Sequence, residues 1–428
     1  MLLPILKNAV EKIEGVKLYY FSQSDNINSI IRKGQKRNSF GYWTKRYALG
    51  KIFETPKIYE GCPSQIMKLI SSNVKATSIN DDCKRGVKLT IDNNEKLHPY
   101  ETNISRAYTM YNEYTALRRI HDNSALLLLL IKFEEFISSL FTLLAIKYPE
   151  CYLNDKKLSY SELVKLPKDS DYKKLFVRRV VADIMKESFD EWLKRLQKHN
   201  ISFESMTEDI VNFKEIYYRR NIIVHNNAIA NEYYIDGVGR QNTQAEIGKR
   251  LDCNRDYIEG AFEKTQIVLY GIIYQCRKIE EDDSCLSLLD HLFELAFGHM
   301  IERDWKISKF IFSMLMHDKK VDALTKLASQ INFWNSEKHL SGLDSIRQSI
   351  EQTDFSASAK KFQLAKYILL EKYDEAIHLL DELFLNEIGV AEIEEWPLFI
   401  DFRGTQYYSD FKQKHEVEFR KLIQDTES

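Results

Sequence analysis

Phe213-Lys-Glu-Ile-Tyr-Tyr-Arg-Arg-Asn-Ile-Ile-Val-His-Asn-Asn-Ala228 reads as the end of one helix that carries three chemically useful side chains, Arg220, Asn221 and His225. An α-helix turns about 100° per residue, so Asn221 and His225, four apart, share a face. Arg220 lies roughly 140° round from His225, but its long side chain can bend back toward that face. Ile222, Ile223 and Val224 are stiff β-branched residues expected to pack inward and hold the polar groups in register. Asn226 and Asn227 read as the helix stop.

This trio suits attack by a ribose 2′-hydroxyl on the neighbouring phosphodiester. A histidine titrates near neutrality and can take or give the proton. A permanently charged, forked arginine can bind phosphate oxygens as negative charge builds up. Asn221 can orient either group, and the reaction requires no metal or other cofactor. The competing reading makes Arg220 an ion-pairing surface residue and His225 a favourable cation near a helix C-terminus.

The string Arg220-Asn221-Ile-Ile-Val-His225-Asn226 resembles the Arg-polar-x-x-x-His signature of the HEPN superfamily, all-helical domains many of which are ribonucleases of toxin, anti-phage and CRISPR-associated systems. Its context agrees: a long apolar helix with internal carboxylates around Ser124–Tyr148, and a closing helix around Asp256–Arg277. The resemblance covers residues 100–280. It implies a homodimer through that domain, with the two motif helices facing each other across a composite cleft. His225 is then the general acid/base, Arg220 the phosphate binder and Asn221 an orienting group. Arg219, Asn226 and Glu134 are the further candidates for contacts to substrate, Glu134 standing where HEPN proteins often carry an extra polar residue. The implied products are 2′,3′-cyclic phosphate and 5′-hydroxyl ends, and the implied biology is abortive-infection defence.

The whole chain, at 428 residues, is too long for one simple core. The expected class is mainly α, divided into an accessory α+β region (1–100), a HEPN-like helical domain (101–280) and a helical-repeat-like arm (281–428). With 61 basic and 63 acidic residues the net charge is −2, so no general basic field marks a nucleic-acid binder and any RNA contact is local. Six scattered cysteines form no Cys-x-x-Cys pair, which argues against structural zinc and a disulfide framework and fits a reducing cytoplasm. The apolar run at Met1–Lys7 is too short for a signal peptide. Leu126–Ile146 has Lys132, Glu134 and Glu135 near its middle, and a charge at a membrane-helix centre costs about 2.5–3.5 kcal/mol, so a buried helix is expected there.

Along the chain, Val16–Phe21 and Val87–Ile91 alternate like strands, and Pro63–Asn73 reads as helix. Phe40–Tyr47 interleaves aromatic and basic residues, a pattern that can stack on bases but more often edges a core. Tyr100–His121 and Leu126–Ile146 read as two helices separated by Asp122-Asn-Ser124. The apolar face of the second is wide enough to serve a core and a second subunit. A short helix at Ser161–Leu166, with Ser159 as its cap, interrupts the loop-rich 149–171. Tyr172–His199 reads as one amphipathic helix with Lys173, Lys174, Arg178, Arg179 and Lys186 on it, interspersed with acids as on a solvated surface. Tyr233–Gly239 reads as a glycine-marked break. Thr243–Gly260 has only a superficial likeness to a helix-turn-helix, with no core of its own.

Beyond Glu280, helices are expected at Ser284–Met300, Asp304–His317, Val321–Phe333, Leu340–Glu351, Ala357–Leu370 and Tyr373–Glu387. Ala365–Leu380 looks like a tetratricopeptide-type hairpin with Ala365 and Ala376 at the close contacts. Stacked helical pairs offer extended surfaces, so this region reads as a partner-recognition or dimer-supporting arm; the family resemblance implies that it, or residues 1–100, takes a regulatory protein or a phage-derived trigger. Phosphate loops, dinucleotide fingerprints and serine-hydrolase elbows are absent from the sequence. The pairs His121-Asp122 and His317-Asp318 lack further metal ligands at helical spacing. Two other readings remain open: a non-catalytic helical module that binds RNA or protein, and a helical-repeat scaffold in which the motif is coincidental.

Overall fold

The computed structural model describes residues 1–36, 39–52, 57, 62–81, 84–91, 98–152, 172–355 and 358–420, and the chain is mainly helical. Helix α1, Leu2–Lys36, begins it. Its buried residues Leu2, Leu6, Ala9, Ile13, Val16 and Tyr20 recur at alternating steps of four and three, which makes a single helical stripe. This corrects the strand reading of Val16–Phe21. A strand would put Val16, Leu18 and Tyr20 on one face, yet Leu18 is 70% exposed while its two neighbours are buried.

That stripe packs against α4, His98–Lys147, a helix about 75 Å long at 1.5 Å per residue. The break expected at Asp122-Asn-Ser124 does not occur. Asp122, 3% exposed, accepts a hydrogen bond from the Tyr20 hydroxyl at 2.9 Å, and Asn123 Oδ1 accepts from the Cys253 backbone N–H at 3.4 Å. Both side chains are taken up by tertiary partners, so they do not compete with the helix backbone.

The face of α4 carrying Leu126, Leu130, Phe133, Ile137, Leu140, Phe141 and Leu144 is buried in the main core. Ile131 stays 42% exposed. Around it pack α6 (Tyr172–Ile184) and α7 (Phe189–Gln197), which follow the single turn α5 (Pro149–Tyr152). The expected continuous helix Tyr172–His199 is therefore two helices. Ser188 sits at φ −73°, ψ 161° and its hydroxyl accepts from the Glu191 N–H at 3.3 Å, starting α7 afresh. The turn lets Trp192 bury completely, its indole N–H donating to the Ile184 carbonyl at 2.7 Å. The expected helix Ser161–Leu166 lies outside the described residues.

Helices α8 (Thr207–His225), α9 (Glu232–Val238), α10 (Arg255–Cys276), α11 (Asp282–Ile301) and α12 (Trp305–Leu315) follow. α10 occupies the place expected for the closing helix. α9 replaces the expected break at 233–239: Asn231 caps it, accepting from the Tyr234 N–H at 3.0 Å, and the glycine at 239, φ 90°, ends it. One hydrophobic core joins α1, α4, α6, α7, α8, α10, α11 and α12, so buried side chains from before residue 100 and after residue 280 pack with those of the 101–280 segment.

Two smaller features complete the N-terminal part. Strands β1 (Val74–Asp81) and β2 (Lys84–Ile91) form an antiparallel hairpin with Val74 opposite Ile91, and α3 (Ser64–Asn73) leads into it. α2, Ser39–Ile52, contributes Tyr47 to a small core with Ile70 and Val74.

A second core begins with Ile331 and Trp334 on α13 (Ala323–Ser341) and runs to Phe419. The helix expected over Leu340–Glu351 is interrupted at Gly342, φ 85°, and resumes as α14, Arg347–Gln352. α15 (Lys360–Leu369) and α16 (Tyr373–Leu383) form a hairpin with Ala365 and Ala376 fully buried. Leu398, Phe399, Phe402, Phe411 and Phe419 close this core. Among the described residues no helix is long and apolar enough to cross a membrane.

Candidate active site on the motif helix

The motif occupies the last two turns of α8, and the stop read at Asn226-Asn227 is where the helix ends. The Ile222 carbonyl accepts from the N–H groups of both Asn226 and Ala228 at 2.9 Å. Asn227 and Ala228 then take positive φ, 52° and 61°, to turn the chain away. Asn226 is used here: its amide donates to the Ile229 carbonyl at 2.7 Å. The returning segment braces the stop, with Ala230 N–H bonded to the Lys249 carbonyl at 2.8 Å and Leu251 N–H to that of Ala228 at 2.7 Å. Thr243–Leu251 is therefore no helix, and the likeness to a helix-turn-helix has no counterpart in the fold.

Arg220 is fixed from two sides. Its Nη2 donates to Glu134 Oε1 at 3.3 Å and its Nη1 to Asn221 Oδ1 at 3.1 Å. The Tyr217 hydroxyl donates to the same Glu134 oxygen at 3.0 Å, and the Arg220 guanidinium carbon lies 5.8 Å from the Tyr217 ring centre. A guanidinium has five N–H donors, so three are left over. Arg220 and Glu134 are each a quarter exposed, enough for an anion to reach them. Burial first, and the Glu134 carboxylate second, push the Tyr217 phenol well above its ordinary range, which keeps it a donor.

Arg219, expected to meet substrate, is held inside the protein. Nε and Nη2 bind Glu215 Oε1 at 2.9 and 2.7 Å, Nη1 donates to the Leu251 carbonyl at 3.3 Å, and the guanidinium lies 4.6 Å from the Tyr257 ring centre. Glu215 also accepts from the hydroxyls of Tyr234, at 2.6 Å, and Tyr257, at 2.8 Å. One carboxylate thus ties α8 to α9 and α10. Burial, then Glu215, pushes the Tyr234 phenol up to about 12.

His225 ends the helix exposed to solvent, and no side-chain hydrogen bond joins its imidazole to another described residue. Ile222 is buried and Ile223 packs, partly buried, against the main core, whereas Val224 is 49% exposed, so the inward packing expected for all three holds for the first two. The residue that sequence reasoning overlooked is Tyr217. It stands four before Asn221 and eight before His225, on the same stripe, and that spacing was the available signal.

The His-Asp dipeptides have other duties: Asp122 binds Tyr20, and Asp318 accepts from Arg277 Nε at 2.6 Å. Among the described residues, the cluster with the makings of a cation site is His299, Glu302 and Asp304. There the Lys17 ammonium already sits 3.0 Å from Asp304, while Tyr270 and Asp304 occupy the two nitrogens of His299 at 2.9 and 3.3 Å. The cysteines at 62, 151, 253, 276 and 285 are unpaired thiols. No family model, no curated protein and no solved structure matches this chain.

Proposed function

We propose that the protein is a metal-independent endoribonuclease of the HEPN type. The observation that supports this reading is the pairing, at one helix end, of a guanidinium clamped by Glu134 and Asn221 with an open imidazole at His225. Arg220 presents its remaining donors to the non-bridging oxygens of the scissile phosphate and holds the charge that grows on them. His225 withdraws the 2′-hydroxyl proton. The 2′-oxygen bonds to phosphorus, the bond from phosphorus to the 5′-oxygen breaks, and that oxygen takes up a proton. The ends are a 2′,3′-cyclic phosphate and a 5′-hydroxyl.

Two copies facing each other through α8 supply a second imidazole, one acting as base and the other as acid. The resemblance that suggests the dimer also suggests a toxin in cytoplasmic anti-phage defence, held silent until a regulatory protein or phage-derived trigger engages residues 281–428 or 1–100.

The second reading is a non-catalytic module that binds RNA or protein. The observation in its favour is the Glu134–Arg220 ion pair, which offsets the charge offered to a phosphate. Incubating the purified protein with a mixed RNA pool and chelator, then identifying the product ends chemically, separates the two. Cyclic-phosphate ends support the enzyme, and intact RNA in the presence of tight binding supports the module.

A further inference from the structure

On α8, Lys214, Tyr218, Asn221 and His225 stand at i, i+4, i+7 and i+11, one polar and aromatic stripe leading to the catalytic histidine. Beside the stripe lies a pair of rings. Tyr218 and Tyr233 meet edge to face, centres 5.4 Å apart at 61°, and Tyr233 is 62% exposed. The pair is a built feature. Tyr218 lies directly over Gly237, where a Cβ would fall 2.2, 2.3 and 2.7 Å from three atoms of its ring. A glycine inside a helix is unfavourable, and here its lack of a side chain is what admits the ring.

We propose that Tyr218 and Tyr233 form a stacking platform for one unpaired nucleobase of the RNA, flanking the phosphate held by Arg220. The inference rests on the ribonuclease reading and gives its substrate a class: single-stranded RNA. Seven residues of helix separate Tyr218 from His225, about 10 Å along the axis and a short step along an extended strand. Every base has a π-face, so such a platform binds without reading sequence. Tyr233 is flanked on α9 by Glu232 and Asp236, and Lys214 is already paired with Asp190 at 3.0 Å. Asp236 in turn pairs with Arg240 at 3.5 Å, so the lysine and arginine charges here are already engaged by carboxylates: the rings take the neutral base, and the phosphate goes to Arg220.

The test uses a fluorescent single-stranded 2′-O-methyl RNA, which binds but offers no nucleophile, titrated with wild type, Tyr233→Ala and Tyr233→Trp, and the same cleavage assay alongside. Tyr233→Ala is expected to bind about ten-fold more weakly. Tyr233→Trp is expected to keep wild-type affinity and to show indole fluorescence quenched on binding. Equal affinity for wild type and Tyr233→Ala, or an unquenched indole, overturns the platform while RNA cleavage by wild type keeps the ribonuclease reading. A wild-type protein that neither binds nor cuts RNA overturns both.

Discussion

Arg220 Nη2 and Glu134 Oε1 are 3.3 Å apart although 86 residues separate them in the chain, and Tyr217 donates to the same oxygen. The long helix α4 thus aims the guanidinium that the motif helix carries. Glu134→Ala frees Arg220 to change rotamer. A displacement on the order of 1 Å costs about a hundred-fold in rate when it misplaces a reacting group. Single-turnover RNA cleavage is expected to fall by about that factor in Glu134→Ala, with the thermal unfolding profile little changed.

Tyr20 and Asp122 couple α1 to α4 inside the core. Tyr20→Phe removes the donor and leaves a buried carboxylate oxygen short of a partner, which costs about 1–3 kcal/mol. Urea unfolding followed by circular dichroism is expected to show a lower midpoint with an unchanged slope.

Gly237 sets packing against helix propensity. Alanine is favoured over glycine within a helix by about 1 kcal/mol, but its Cβ would strike the Tyr218 ring, and overpacking costs about 1–3 kcal/mol. Gly237→Ala is expected to lower stability in the wild-type background and to raise it once Tyr218→Ala has emptied the site. A double-mutant cycle of melting temperatures reads the change of sign.

Asp304 gives the fold an acid limit. Burial raises its carboxyl, but hydrogen bonds from His299 and Lys17 and their charges outweigh that and hold it below the ordinary 3.8. A carboxyl depressed in the folded state adds stability that is fully present above its unfolded value and is lost as pH falls through the folded one. Wild type is expected to be more stable than Asp304→Asn near neutrality, and the gap to close as pH drops below about 4. A constant gap from pH 7 into the acid range would contradict this.

Much of the architecture was legible in the sequence, and the exceptions have physical reasons. The stop at Asn226-Asn227 was readable because both residues tolerate a turn, and Asn227 takes positive φ there. Strand β2 and helix α3 showed their own periodicities. Val16–Phe21 misled because six residues are too few to distinguish a period of two from one of 3.6, whereas Leu2 to Tyr20 shows the helical stripe. Asp122-Asn-Ser124 read as a break because its partners Tyr20 and Cys253 are distant in the chain. In the candidate site, residue type and spacing singled out Arg220 and Asn221 and the family resemblance singled out Glu134, and the fold joins the three by hydrogen bonds. That Arg219 turns inward while Arg220 stays at the surface depends on Glu215, Tyr234 and Tyr257 converging from three helices, which local sequence does not record.

The most direct measurement is cleavage of RNA in the presence of EDTA by wild type, His225→Ala and Arg220→Ala, with all three shown to be folded. Wild type is expected to leave 2′,3′-cyclic phosphate and 5′-hydroxyl ends, and each variant to lose at least about a hundred-fold in rate. Equal cutting by the three proteins would contradict the assignment of the motif helix as the active site.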